Sequence, residues 1–240
     1  MTGTSLRSSR TIIRASAVLC ATAAVVTACA NQPGQPTASP SAPTTTARPK
    51  SPYPPVTFTW DFAAPLTGRE EAAARFAAET AMADDQFMWA DHYEPDLERA
   101  YNERVTRTYI GSRSSWEATQ SKWPATGGML WRVVGTTPAE DGYRVTLCQF
   151  DTPGTYSVID GKLVKDPGNR SHAAEALTVV STTKPSAADP HQTPTPRTLV
   201  TAIEPPGAPN ESPSMHCDKF APEPFVQTPP PPITPAPRQK

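Results

Sequence analysis

The chain reads as an α+β domain, in which N-terminal helices pack on a curved antiparallel sheet and disordered proline-rich ends flank the whole. Three observations give that reading. Apolar residues recur every three or four positions across residues 68–90 and again across 96–111, the period of a helix with one buried face. From residue 130 onward they alternate with polar residues between turn signals, the period of strands. The 30 prolines cluster toward the two ends and leave about 165 residues between them, enough for one domain with its own core.

In chain order, Arg7, Arg10 and Arg14 come first with no acidic residue among them, and residues 15–26 are then apolar apart from Ser16 and Thr22. That length suits the apolar part of an export signal and falls short of the about twenty residues a membrane span needs. Val26-Thr27-Ala28-Cys29 has the form of a bacterial lipobox, in which a diacyl lipid joins the Cys29 sulfur and the chain is cut before it. A plain secretory cut after Ala30, or an uncleaved short anchor, are the alternatives. The arginines are not adjacent, as a twin-arginine signal requires. Two acyl chains, at about 0.8 kcal/mol per buried CH₂, anchor a protein stably where one would not. The expected location is therefore the extracytoplasmic face of the cell membrane, with residues 1–28 as leader.

Residues 29–56 are Pro, Thr, Ser, Ala and Gln with few apolar side chains, too little surface to offset the entropy of ordering. They read as an extended stalk, at about 3.1 Å per residue. The domain is placed at 57–221. Phe58, Trp60 and Phe62 alternate and suggest a short opening strand or packed arm. Thr67 with Glu70 forms a capping-box pattern. Ala72, Phe76, Thr80, Ala83 and Phe87 mark the expected core face of the first helix. Leu97, Ala100 or Tyr101, Val105 and Tyr109 mark that of the second.

Strands are expected at 130–137 and 143–150, joined by a turn over 138–142, and then at 156–159 and 162–164 around Asp160-Gly161, a strong hairpin signal. Strands at 176–183 and 198–203 complete the sheet, separated by a proline-laden loop of about fourteen residues that reads as a functional rim or a mobile ornament. In the second strand Tyr143, Val145 and Leu147 share one face, and Arg144, Thr146, Cys148 and Phe150 the other. The tail, 222–240, includes four consecutive prolines from Pro229 to Pro232 and reads as solvated, or as a polyproline II ligand for an envelope partner.

Once Cys20 has left with the leader and Cys29 has taken its lipid, Cys148 and Cys217 remain. Two thiols in an exported chain are most simply a disulfide. That bond would draw the C-terminal segment across the face of the sheet opposite Tyr143, Val145 and Leu147. A reactive Cys217 beside His216 is the alternative.

The lipobox, the Thr/Pro stalk, the amphipathic opening helix, Trp131-Arg132-Val133-Val134, Val145-Thr146-Leu147-Cys148 and the strand pair around Asp160-Gly161-Lys162 together resemble uncharacterised mycobacterial-type actinobacterial lipoproteins with an NTF2-like domain. The resemblance covers residues 65–205 and implies a cone-shaped fold. In enzymes of that kind a carboxylate or His inside the cone acts as base near a tyrosine. Asp91, His92 and Tyr101 are the residues that could take those roles here.

Against 23 acidic residues stand 22 basic ones, three of them in the leader, so the exported chain is mildly acidic and has no basic run. That excludes nucleic acid as an expected partner. No nucleophile elbow, P-loop, dinucleotide fingerprint or zinc spacing occurs, and no cofactor or metal is expected. Asp84, Asp85, Asp91, His92 and Glu94 read as a solvated helix end, and His172 and His191 as surface loop residues. The function expected is non-enzymatic: an envelope lipoprotein that presents a domain to a protein partner or a small apolar ligand. The alternative is a dehydratase- or isomerase-type enzyme acting on an apolar substrate.

Overall fold

A computed structural model describes residues 51–110, 116, 121, 123–165, 170–207 and 212–233. The leader, Cys29 and most of the stalk lie outside the described residues. The elements are β1 (Thr57–Phe62), α1 (Gly68–Met88), α2 (Pro95–Asn102), α3 (Arg107–Ile110), β2 (Ala125–Ala139), β3 (Gly142–Ile159), β4 (Lys162–Val164), β5 (Ser171–Thr182), β6 (Arg197–Glu204) and α4 (Pro213–Cys217), which runs into a 3₁₀ turn at Asp218–Phe220.

The class is α+β, as expected, but the six-stranded sheet is mixed. Its order is β1-β2-β3-β5-β6 with β4 on β3, and β1 pairs parallel to β2, Trp60 opposite Trp131. A parallel neighbour requires a long crossover, and the helical segment between β1 and β2 supplies it. Alternation within a strand carries no record of its neighbour's direction, which is why an antiparallel sheet was expected throughout. The hairpins are longer than their apolar runs: β2 and β3 continue to Ala139 and from Gly142 around a two-residue turn, and β3 runs on through Ile159. At the next turn Asp160 and Gly161 have φ of 50° and 74°, the left-handed backbone that a two-residue hairpin demands.

One face of the sheet carries α1. The centre of the helix's buried face lies on Ala74, Ala77 and Ala78, each at 0 % exposure, with Ala73 and Ala81 beside them, whereas Ala72 is exposed. Alanine lets the helix backbone approach Val145, Leu147 and Leu177 of the sheet closely. The capping box does not form: the Thr67 side chain makes no cap bond, and Glu70 meets the Thr136 hydroxyl on β2 instead. The expected second helix is broken at residues 103–106, because Val105 bridges to Val200 of β6 and Thr106 to Ser186. The Thr106 N–H donates to Val200 O at 3.0 Å, and the Ala187 N–H donates to Val105 O at 2.9 Å. Those bonds also dock the start of the proline-laden loop against the domain.

The other face is covered by the C-terminal segment. Cys148 and Cys217 form a disulfide, and with Phe150 they make a second core against Leu130, Phe220 and Phe225. Arg132 reaches from the same face, donating to both oxygens of Asp61 at 2.8 and 2.6 Å and to Phe220 O at 3.0 Å. The described part of the tail is mostly exposed to solvent, as expected, yet it is tied to the domain. The Thr228 N–H donates to Pro153 O, and the Ile233 N–H to Pro52 O, both at 2.8 Å.

Candidate functional site

Two spaces open on the helix side of the sheet, and Gln149 lines both. The inner one lies where the alanine stripe of α1 gives way, one turn past Ala81, to Asp84 and Asp85. β2 sends Trp131 into it, β5 sends Glu175, and α2 sends Tyr101, which is 1 % exposed. Its volume is about 80 Å³, room for a few water molecules. Asp85 Oδ2 accepts from Trp131 Nε1 and from Gln149 Nε2, each at 2.6 Å. Burial pushes the Asp85 carboxyl up to about 8; the Trp131 bond opposes this, and the charges of Asp84 and Glu175 add to it. Burial, then repulsion from Asp84, carries Glu175 to about 7. The cavity thus holds protons on carboxyl groups in the neutral range.

The outer cleft has a volume of about 240 Å³. Trp89 at the end of α1, Met129 of β2, Tyr156 of β3 and Val164 of β4 form its walls. Asp151, 3 % exposed, stands at its floor. Four segments converge on that carboxylate. Thr155 donates through its backbone N–H at 2.7 Å and its hydroxyl at 3.0 Å. The Lys165 ammonium follows the β4 hairpin and pairs with Oδ2. His172 Nε2 lies 3.5 Å from Oδ1, and Gln227 of the tail donates to Oδ2 at 2.9 Å. Burial raises the Asp151 pKa, but the bonds from His172, Lys165 and Thr155 outweigh it and hold the carboxyl well below the usual range. His172 reaches the cleft from β5 where its register against β3 shifts by a residue, between Gln149 and Phe150.

A wider groove of about 650 Å³ runs beside the first half of α1, between Phe76, Tyr143 and Val180, with Arg69 and Asp141 as its charged residues. No carboxylate comparable to Asp85 or Asp151 stands in it.

Of the three residues that the sequence suggested for catalysis, Asp91, His92 and Tyr101, Tyr101 alone lines one of the two spaces. Asp91 and His92 are exposed beyond the end of α1, where His92 Nε2 lies 3.6 Å from Glu94 Oε1, and neither lines the inner cavity or the outer cleft. The acidic helix end is therefore divided: Asp84 and Asp85 turn to the interior, and Asp91 stays at the surface. Cys29 lies outside the described residues, and Cys148 and Cys217 are spent on the disulfide. His172, read as a loop residue, is on a strand and half-exposed at the cleft.

Trp131, Gln149, Asp151, Lys165 and Glu175 were not anticipated. The signal for three of them is in the alternation itself. Gln149 and Asp151 continue the face of Val145 and Leu147, and Glu175 sits between Ala173 and Leu177. Each is a polar side chain where the period calls for an apolar one.

The chain matches no family model, and no curated protein or solved structure is similar to it. Among the described residues no helix is long and apolar enough to cross a membrane, and no group of three or more His, Cys, Asp or Glu is placed to hold a metal ion. What the arrangement offers chemically is a proton store in the inner cavity. In the outer cleft it offers an imidazole held by a carboxylate, beside an ammonium and a phenol.

Proposed function

We propose that the protein is a lipid-anchored lipoprotein of the cell envelope with an NTF2-like domain, and that this domain holds a small, largely apolar ligand in the outer cleft without transforming it. The leader, the lipobox at Cys29 and the proline-rich stalk support the location, and a Cys148–Cys217 disulfide suits an oxidising compartment. One observation carries the binding function: apolar walls from Trp89, Met129 and Val164 surround the polar floor at Asp151. Apolar lining with a few fixed polar groups is the usual make-up of a ligand site. The cleft is smaller than the roughly 300–1,000 Å³ of drug-sized sites, so its ligand has one ring or a short acyl chain. The inner cavity is too small to compete for it.

The test has two parts. Cys29→Ser should release the protein from membranes or leave it unprocessed, and a variant that fractionates with membranes at the wild-type mass would remove the anchor. Small aromatic fragments should shift the NMR signals of Trp89, Met129 and Val164 first; shifts confined to other surfaces would remove the cleft.

The placement of His172 beside Asp151 favours a second reading, an enzyme of dehydratase or isomerase type in which His172 is the base. The same fragments separate the two. A binding protein returns them unchanged, whereas conversion that stops in His172→Gln would establish the enzyme.

A further inference from the structure

The donors around the cleft outnumber the acceptors left open to a ligand. The two oxygens of Asp151 already accept from Thr155 twice, from Gln227 and from Lys165, with His172 close by. An ionised carboxylate offers about four lone-pair sites, so this one is saturated. Lining the cleft stand two groups that donate, the further N–H bonds of Lys165 and the hydroxyl of Tyr156. The two converge. A Cβ built on Gly154 would stand 3.2 Å from Tyr156 Oη and 3.4 Å from Lys165 Nζ, so both groups approach one point beside this glycine. The Lys165 ammonium lies over the Tyr156 ring, 5.2 Å from its centre, and both residues line the cleft.

From this, and resting on the cleft being the ligand site, we propose that the ligand is a small carboxylate. Its apolar body lies against Trp89 and Val164, and its anionic end is seated between Lys165 and Tyr156 with His172 beside them. A neutral ligand of the same shape would offer the ammonium only an uncharged acceptor in a partly desolvated site. A cationic one would meet Lys165 directly.

Benzoate and benzamide make the comparison, since they share shape and ring and differ in charge. Titrated into the exported chain with its disulfide intact, benzoate should bind roughly tenfold or more tightly than benzamide, the usual advantage of a hydrogen bond to a charged group. Lys165→Met keeps the apolar stem and should abolish that preference. Because Lys165 also meets Asp151, that variant could loosen the floor. Val164→Glu removes an apolar wall from both probes but sets a charge against only one, so it should weaken benzoate roughly tenfold more than benzamide. Equal binding of the two probes at the cleft overturns the carboxylate inference and leaves the apolar-ligand reading standing. Binding of neither overturns both. A benzoate preference that survives Lys165→Met and Val164→Glu places the anion elsewhere and also overturns it.

Discussion

Trp131 Nε1 donates to Asp85 Oδ2 at 2.6 Å, and this bond joins the end of α1 to the second strand of the sheet. The same oxygen accepts from Gln149 on the third strand. Asp85 is the point at which a close-packed helix–sheet contact becomes a polar one, and its ionisation sets how tightly that end of the helix is held.

Stability should fall as pH rises. Asp85 is raised from 3.8 to about 8, and Glu175 from 4.5 to about 7, so the folded chain holds both protons more tightly than the unfolded one. Their contribution is fully present below the unfolded values and is lost as pH climbs through the folded ones. Urea unfolding at about pH 5 and about pH 9 should show the loss, on the order of a few kcal/mol, and Asp85→Asn should shrink it. A variant with the wild-type slope would mean that Asp85 is not the group responsible.

Trp131→Phe keeps most of the ring's packing and removes the donor. The cost should be about 1–3 kcal/mol, and greater at alkaline pH, where the carboxylate left with Gln149 alone is charged. Equal losses at both pH values would assign the effect to packing.

The alanine stripe can be tested by size. Ala77→Leu forces a bulky side chain between α1 and the sheet and should cost at least about 1–3 kcal/mol in thermal or urea unfolding. Ala72→Leu, on the exposed side, should stay within about 0.5 kcal/mol. The reverse order would return the buried face to the one the helical period alone suggests.

Cys217→Ser should cost roughly 4 kcal/mol on the chain-entropy argument, since the bond closes a separation of 69 residues. It should also free the segment that covers Phe150. Denaturant unfolding with and without reductant checks the first effect, and hydrogen exchange at Ala221 and Thr228 checks the second.

Asp151 carries the opposite sign to Asp85. Its folded pKa is depressed, so its contribution is present above the unfolded value and is lost as pH falls through the folded one. Asp151→Ala would strand Lys165 without its partner and should cost about 3–5 kcal/mol. It should also speed exchange of the Thr228 N–H, because Gln227 loses the carboxylate and keeps only the Asp151 backbone oxygen as acceptor. Unchanged exchange at Thr228 would show that the tail is held by its backbone bonds alone.

Much of the fold was legible because local patterns record local facts. Alternation placed Val145 and Leu147 opposite Cys148 and Phe150, the Asp160-Gly161 pair fixed a turn, and two leftover thiols named the disulfide. Along α1, however, the period located a buried face only to within a residue. Alanine is neutral to that pattern, and it was the size of Ala74, Ala77 and Ala78 that decided which side could approach the sheet.

The sequence by itself determined the helices-then-hairpins order, the two faces of β3 and the pairing of Cys148 with Cys217. Only the tertiary structure decided that β1 runs parallel to β2, that Asp85 meets Trp131, and that Asp151 gathers Lys165, His172 and Gln227. Periodicity tells a side chain which face to take. It does not tell which distant side chain waits there, because those partners are chosen by strand order and helix approach, and their free energy is realised only after the chain has closed on itself.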